Sequence, residues 1–149
     1  MAEFGGEGTV EVATARERCF EVAAAVAGYP DWHPVIRSVT ALAQDPAGRA
    51  SRARAVVDAN VATVTVEIGI TYSEPGGVEV RRESGDLRAM WTTFEFVELD
   101  SGLTRVDYAT ALDPGRMLSM MARGPVLEKV RRKLVDDALA SFKRVAEAD

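Results

Sequence analysis

The sequence predicts an α+β fold in which a curved, seven-stranded antiparallel sheet wraps a long C-terminal helix, with a short helical segment after the first strand. Three observations carry this expectation. Between about Ile36 and Leu112 apolar residues recur at every second position, in runs of strand length separated by turn residues. After Pro114 the apolar period becomes helical and stays so almost to the end of the chain. Ahead of both stands one alternating run followed by one helical run.

Taken in order, Met1-Ala-Glu-Phe-Gly-Gly-Glu-Gly8 is acidic and glycine-rich, so residues 1–8 are expected to be a loose N-terminus before a single domain over residues 9–147. Thr9-Val-Glu-Val-Ala13 alternates and reads as the first strand. Thr14 can cap a following helix, with Glu17 as the reciprocal partner of a capping box. Phe20, Ala23, Ala24 and Ala27 then recur at helical spacing, and Gly28 is expected to stop that helix. Tyr29-Pro-Asp-Trp-His-Pro34 has room for a turn or one short helical turn.

Turn signals at Asp45-Pro46, Pro75-Gly-Gly77, Gly85-Asp86 and Asp100-Ser-Gly102 divide the next stretch into strands. The clearest is Val61–Tyr72: Val64, Val66, Ile68, Ile70 and Tyr72 share one face, and Thr63, Thr65, Glu67, Gly69 and Thr71 share the other. Met117 to Arg123 suits a short helix, and Pro125 suits the first turn of a longer one. From there to Glu147 a helix would be about 34 Å long. Met120, Leu127, Val130, Leu134, Ala138, Phe142 and Val145 form its apolar stripe. Only the sheet offers a surface large enough to cover that stripe.

Paired residues of antiparallel strands have nearly constant index sums, so the turns give a register. A turn at Asp58–Val61 puts Ala53, Ala55 and Val57 on the face of Val64 and Val66. Pairing Ile70 with Val80 keeps Val78 there and brings Arg82 with it. Pairing Val80 with Met90 adds Thr92, Phe94 and Phe96, and pairing Phe94 with Val106 adds Thr104, Tyr108, Thr110 and Leu112. A slip of one residue would bury Arg81, Trp91, Glu95 and Asp107 instead, which the hydrophobic effect opposes.

Composition removes most other chemistries. The 149 residues hold one cysteine, Cys19, and one histidine, His33, too few for a disulfide framework or a multi-histidine metal cage. A net charge of −5 argues against duplex DNA or an anionic membrane as the main partner. No run approaches the roughly 20 apolar residues of a membrane span, and the acidic start is unlike a signal peptide; a cytoplasmic location without membrane insertion is expected. There is no Gly-x-Ser-x-Gly elbow, P-loop or His-Glu-x-x-His run. No cofactor and no metal are expected, and the chain is read as a monomer or homodimer that does not bind nucleic acid.

Ala15-Arg-Glu-Arg-Cys-Phe-Glu-Val22, Tyr29-Pro-Asp-Trp-His-Pro34, Trp91-Thr-Thr-Phe-Glu-Phe96 and Gly102-Leu-Thr-Arg-Val-Asp-Tyr108, in this order, resemble the START-like, or Bet v 1-like (SRPBCC), superfamily. Within it the chain is similar to the polyketide cyclase/dehydrase and coenzyme-Q-binding branch. The resemblance implies a helix-grip fold with a cavity between sheet and C-terminal helix. Members bind lipids, sterols, quinones, plant hormones or polyketide intermediates, and a minority are enzymes.

On that basis the expected cavity lining is Val66, Ile68, Ile70, Tyr72, Val80, Arg82, Met90, Thr92, Phe94, Tyr108 and Thr110 from the sheet. Trp32 joins from the turn, and Met120, Leu127 and Leu134 from the helical segment. Arg82 is the sharpest candidate, because a buried guanidinium needs an oxygen to accept its protons; the competing reading has it snorkel to water at a strand end. Trp32 reads more readily as a packing plug than as a ligand platform, and His33 as a packed or solvated residue. Two functions stay open: a carrier of a quinone, lipid or polyketide-like molecule, or a polyketide aromatase/cyclase or dehydrase that positions the chain and polarises its ketone oxygens. No catalytic residue can be named.

Overall fold

A computed structural model describes residues 4–58, 63–113, 115 and 125–148, the side chains of Phe4, Val126 and Leu127 apart. The strands are β1 (Phe4–Val12), β2 (Ile36–Gln44), β3 (Ala50–Asp58), β4 (Thr63–Ser73), β5 (Gly77–Gly85), β6 (Ala89–Glu98) and β7 (Thr104–Asp113). They form one antiparallel sheet in the order β1-β7-β6-β5-β4-β3-β2. The alternation in β4 has the expected consequence: Val64, Val66, Ile68 and Ile70 are buried, and their neighbours face outward.

Ile70 pairs with Val80, as the index sums require, whereas Ala55 pairs with Val66, two residues beyond the sum set by a turn at Asp58–Val61. Two further hairpins are longer than expected. Val80 pairs with Thr92 instead of Met90, and Phe94 with Tyr108 instead of Val106. The β5–β6 connection spends Asp86, Leu87 and Arg88 before β6 starts, and Leu87 is fully buried there. The β6–β7 connection spends Asp100–Gly102 in a 3-10 turn with Ser101 at φ 66°. Both slips are of two residues, so every side chain keeps its face.

Residues 4–8 are not loose, as expected of them, but the first half of β1, paired with β7 from Phe4↔Leu112 onward. Glycine is the reason they can be. A Cβ on Gly8 would lie 2.8 Å from Leu139 Cδ1, so its absence lets the C-terminal helix press onto the strand.

The first helix also differs from expectation. α1 (Arg16–Ala24) is preceded by Ala15 with no side-chain cap, and the Thr14/Glu17 capping box is not made. The Thr14 carbonyl instead accepts from Thr104 Oγ1 at 2.8 Å. The helix stops at Ala24, ahead of Gly28, and a 3-10 segment, Val26–Asp31, carries Gly28 and Pro30 through the turn.

The C-terminal helix runs as α2 (Pro125–Arg132), a π segment (Lys133–Asp137) and α3 (Ala138–Glu147). Val130, Leu134, Ala138 and Phe142 of the expected stripe are buried, and so are Val135, Leu139 and Ala146, which lie beside it at helical spacing on the same face. The amide of Ala138, which would reach the Leu134 carbonyl in a regular helix, bonds Val135 O, and the Tyr108 hydroxyl donates to Leu134 O at 2.9 Å. Phe142 is enclosed by Trp32, Phe94 and Phe96 with ring centroids 5.4–6.1 Å away. The short helix expected over Met117–Arg123, with Met120, lies outside the described residues.

Candidate functional site

A cavity lies between the concave face of the sheet and the C-terminal helix, at the end where β2 and β6 begin and β3 and β7 finish. Its wall is made by Tyr29, His33, Val35, Ile36, Val39, Ala55, Val57, Ile68, Val80, Met90, Thr92, Phe94, Thr110, Leu112 and Leu134. The strands supply these residues because only one face of each can be apolar, and curvature turns that face into a concave one. A bulge between Glu67 and Ile68 sharpens that curvature. The enclosed volume is about 40 Å³. That admits a water molecule or a few, against roughly 300–1,000 Å³ for a drug-sized ligand pocket.

Among the described residues His33 is the one titratable side chain on the wall besides Tyr29, and no described carboxylate, lysine or arginine stands there. The few polar groups can be followed one by one. Thr110 Oγ1 donates to Trp91 O at 3.2 Å and lies 2.8 Å from Thr92 Oγ1, so a consistent proton assignment has Thr92 donating to Thr110. Both hydroxyl protons are then used, and only lone pairs face the cavity. The Tyr29 hydroxyl donates to Ala23 O, and burial pushes its ionisation far above the ordinary tyrosine range. His33 is 8% exposed, and burial lowers its pKa to about 4. The ring stacks on Tyr29 and lies against Trp32, and its Nδ1 accepts from the Val35 amide at 3.3 Å.

Of the residues expected to line the cavity, Ile68, Val80, Met90, Thr92, Phe94, Thr110 and Leu134 stand on its wall. Val66 and Ile70 are buried on the same face but off the wall. Tyr72 lies toward the opposite end of the sheet, where its hydroxyl donates to Ala50 O at 2.6 Å and the Arg49 guanidinium covers its ring at 4.7 Å. Tyr108 is fully engaged by the π segment, and burial raises its ionisation strongly. Trp32 packs edge-on against Phe142 and Tyr29, as a plug and not as wall.

Arg82 pairs across the strands with Ile68, on the inner face, yet it is not part of the wall. Its Nη2 donates to Gly85 O at 2.9 Å, and its buried Nε has no hydrogen-bond partner among the described residues. Met120 and the Leu127 side chain lie outside the described residues.

Sequence reasoning missed Tyr29, His33, Val35, Ile36 and Val39. Register bulges in β2 break the alternation that would have flagged Ile36 and Val39. For His33 the available signal was its place between Trp32 and Pro34 in an apolar turn. Among the described residues no group of three or more His, Cys, Asp or Glu side chains could hold a metal, and no helix is long and apolar enough to cross a membrane.

The family described as polyketide cyclase/dehydrase and lipid transport matches residues 5–147. No curated protein matches the chain at a significant level. Among solved structures it is similar to a START superfamily protein from Mycobacterium smegmatis, with 21% identity, a TM-score of 0.74, and 97% of this chain and 94% of that one covered. It is likewise similar to the Zhui aromatase/cyclase from Streptomyces sp. R1128, with 19% identity, a TM-score of 0.71 and coverage of 98% and 94%. A protein from Thermus thermophilus superposes with a TM-score of 0.78 at 16% identity, covering 97% of each chain. At these identities the likeness is one of fold.

Proposed function

This chain belongs to the polyketide cyclase/dehydrase and lipid transport family, and from that premise we propose that it binds a hydrophobic small molecule, quinone-, lipid- or polyketide-like, in the cavity between sheet and C-terminal helix. The observation that carries this reading is the disposition of polar groups. The wall is hydrocarbon with sparse polar atoms, which suits an apolar ligand with few oxygens. The alternative, an aromatase/cyclase or dehydrase, calls for Arg82, Tyr72, Tyr108 and Thr92 to converge on one spot. Tyr72 and Tyr108 are spent on backbone carbonyls in different parts of the fold, which favours carrying over turnover.

A ligand larger than a few water molecules must widen the cavity. Met90, with three rotatable side-chain bonds, is the wall residue that yields at least cost. Arg82 sits on the inner face near the same end of the sheet, and its unpartnered Nε suits a ligand oxygen that reaches it when the cavity widens.

Native mass spectrometry of the purified protein, followed by organic extraction, tests the reading. A retained lipophilic compound in stoichiometric amount supports it. Failure of the protein to take up any of a panel of quinones, fatty acids and aryl ketones would refute it. Conversion of a bound poly-β-ketone to a cyclised product would decide for the enzyme instead.

A further inference from the structure

We propose that His33 is the ligand-reading group of the cavity: a neutral imidazole whose Nε2–H donates to an uncharged oxygen acceptor, a ketone or quinone carbonyl, on the bound molecule. The inference rests on the cavity being a ligand site and adds what recognises the ligand there.

Three observations on the ring lead to it. First, the ring stands on the cavity wall while only 8% of the residue is exposed. Second, Nδ1 is occupied as an acceptor by the Val35 amide at 3.3 Å, and an imidazole that accepts at Nδ1 while neutral must carry its proton on Nε2. The same bond places Nε2 on the far side of the ring from that backbone. Third, Nε2–H has no acceptor among the described residues: the ring's other neighbours are the Tyr29 and Trp32 rings, and the Tyr29 hydroxyl proton is already given to Ala23 O. Nε2 is not among the buried unpartnered side-chain atoms, so its proton is open for water or a ligand oxygen to accept.

The remaining wall polarity fixes the sign of what can bind. Thr92 and Thr110 spend their protons on each other and on Trp91 O, so they offer lone pairs only. His33 is therefore the one wall side chain with a proton to give among the described residues. Burial opposes a charge on it, and among the described residues no cation stands on the wall to balance an anion. A carboxylate inside the cavity would lose its hydration without a counter-charge. A ketone or quinone oxygen loses little and gains one directed bond. An accompanying hydroxyl on the ligand could donate to Thr92.

His33 is the only histidine of the chain, so its ring can be observed without assignment by mutagenesis. The test uses the full chain labelled with ¹⁵N-histidine and three probes of matched shape: 1-tetralone, its hydrocarbon analogue tetralin, and 5,6,7,8-tetrahydro-2-naphthoate. Long-range ¹H–¹⁵N spectra near neutral pH are expected to show the Nε2–H tautomer. Tetralone should shift the Nε2 resonance, while tetralin should bind without doing so. Tetralone should bind roughly three- to tenfold tighter than tetralin, the worth of one neutral hydrogen bond, and His33→Phe should erase that preference while retaining tetralin.

An Nδ1–H tautomer, equal affinity for tetralone and tetralin in the wild type, or tighter binding of the carboxylate would each overturn the assignment while leaving a ligand cavity in place. If none of the three probes binds, the cavity reading itself fails and takes this inference with it. The tautomer and the wild-type shifts need no variant, so a misfolded His33→Phe protein does not spare the proposal.

Discussion

Acidifying the protein from about pH 7.5 to about pH 4.5 puts a proton on His33 in the unfolded chain but not in the folded one. The folded ring is buried between Tyr29 and Trp32, and burial lowers its pKa from 6.5 to about 4. Between those two values the unfolded state binds more protons than the native state, so stability falls as pH falls. The loss begins near the unfolded pKa, accumulates down to about 4, and then levels off. At about 1.4 kcal/mol per pKa unit, the whole window is worth about 3 kcal/mol, and about 2–3 kcal/mol is lost by pH 4.5.

The assay is urea unfolding of the wild type and of His33→Gln at a series of pH values. Carboxylates titrate at the low end in both proteins, so the difference between the two curves isolates the imidazole. The stability of the wild type relative to the variant should drop by about 2–3 kcal/mol between pH 7.5 and 4.5. Tyr29 does not titrate in this range, since burial moves its ionisation upward, and no carboxylate is bonded to the ring among the described residues. Two parallel pH profiles would show that the ring is solvated or paired, and would remove the basis for treating it as a neutral donor.

Other consequences can be checked on the same scale. Tyr108→Phe leaves the Leu134 carbonyl of the π segment short of a donor, and should lower unfolding free energy by about 1–3 kcal/mol without changing sheet content in far-UV circular dichroism. Gly8→Val puts carbon within 2.8 Å of Leu139 Cδ1 and 3.3 Å of Val135 Cγ1; it should cost about 1–3 kcal/mol in urea, partly recovered by adding Leu139→Ala. Phe142→Ala removes the ring held among Trp32, Phe94 and Phe96 and should cost about 3–5 kcal/mol, read as a lower urea midpoint at unchanged slope. Arg82→Leu should leave the fold intact and weaken retention of a co-purifying ligand in native mass spectrometry; unchanged retention would remove Arg82 from the site.

Parity was the most legible property of this chain. Whether a side chain faces the core or water depends only on odd or even position, and a two-residue error in hairpin length leaves that intact. The inner faces of β4 to β7 were therefore readable even though Val80 pairs with Thr92 and not Met90. Features that parity does not decide were misread for identifiable reasons. Glycine at positions 5, 6 and 8 suggested looseness, because propensity counts backbone freedom and not the helix that will press on the strand. The π turn was invisible, since its stabilising partner, Tyr108, comes from a strand 26 residues away in sequence. The bulges of β2 hid Ile36 and Val39 from an alternation test.

The polar residues of the inner face show the deeper limit. Placing Tyr72, Arg82, Thr92, Tyr108 and Thr110 on one face says nothing about where each proton goes, and a cavity is read by its unspent protons. Tyr72 gives its proton to Ala50, Tyr108 to Leu134 and Thr110 to Trp91, while Arg82 gives one to Gly85 and keeps clear of the wall. His33 keeps a proton to give because its Nδ1 is satisfied by an amide two residues on, a local bond that then holds the ring against the cavity. A residue that composition made look incidental is thus left with the donor on the wall, and of the residues that face assignment promoted only Arg82, off the wall, keeps an unspent proton on Nε. Recognition in such a cavity follows from subtraction: the group that matters is the one the fold has not already used.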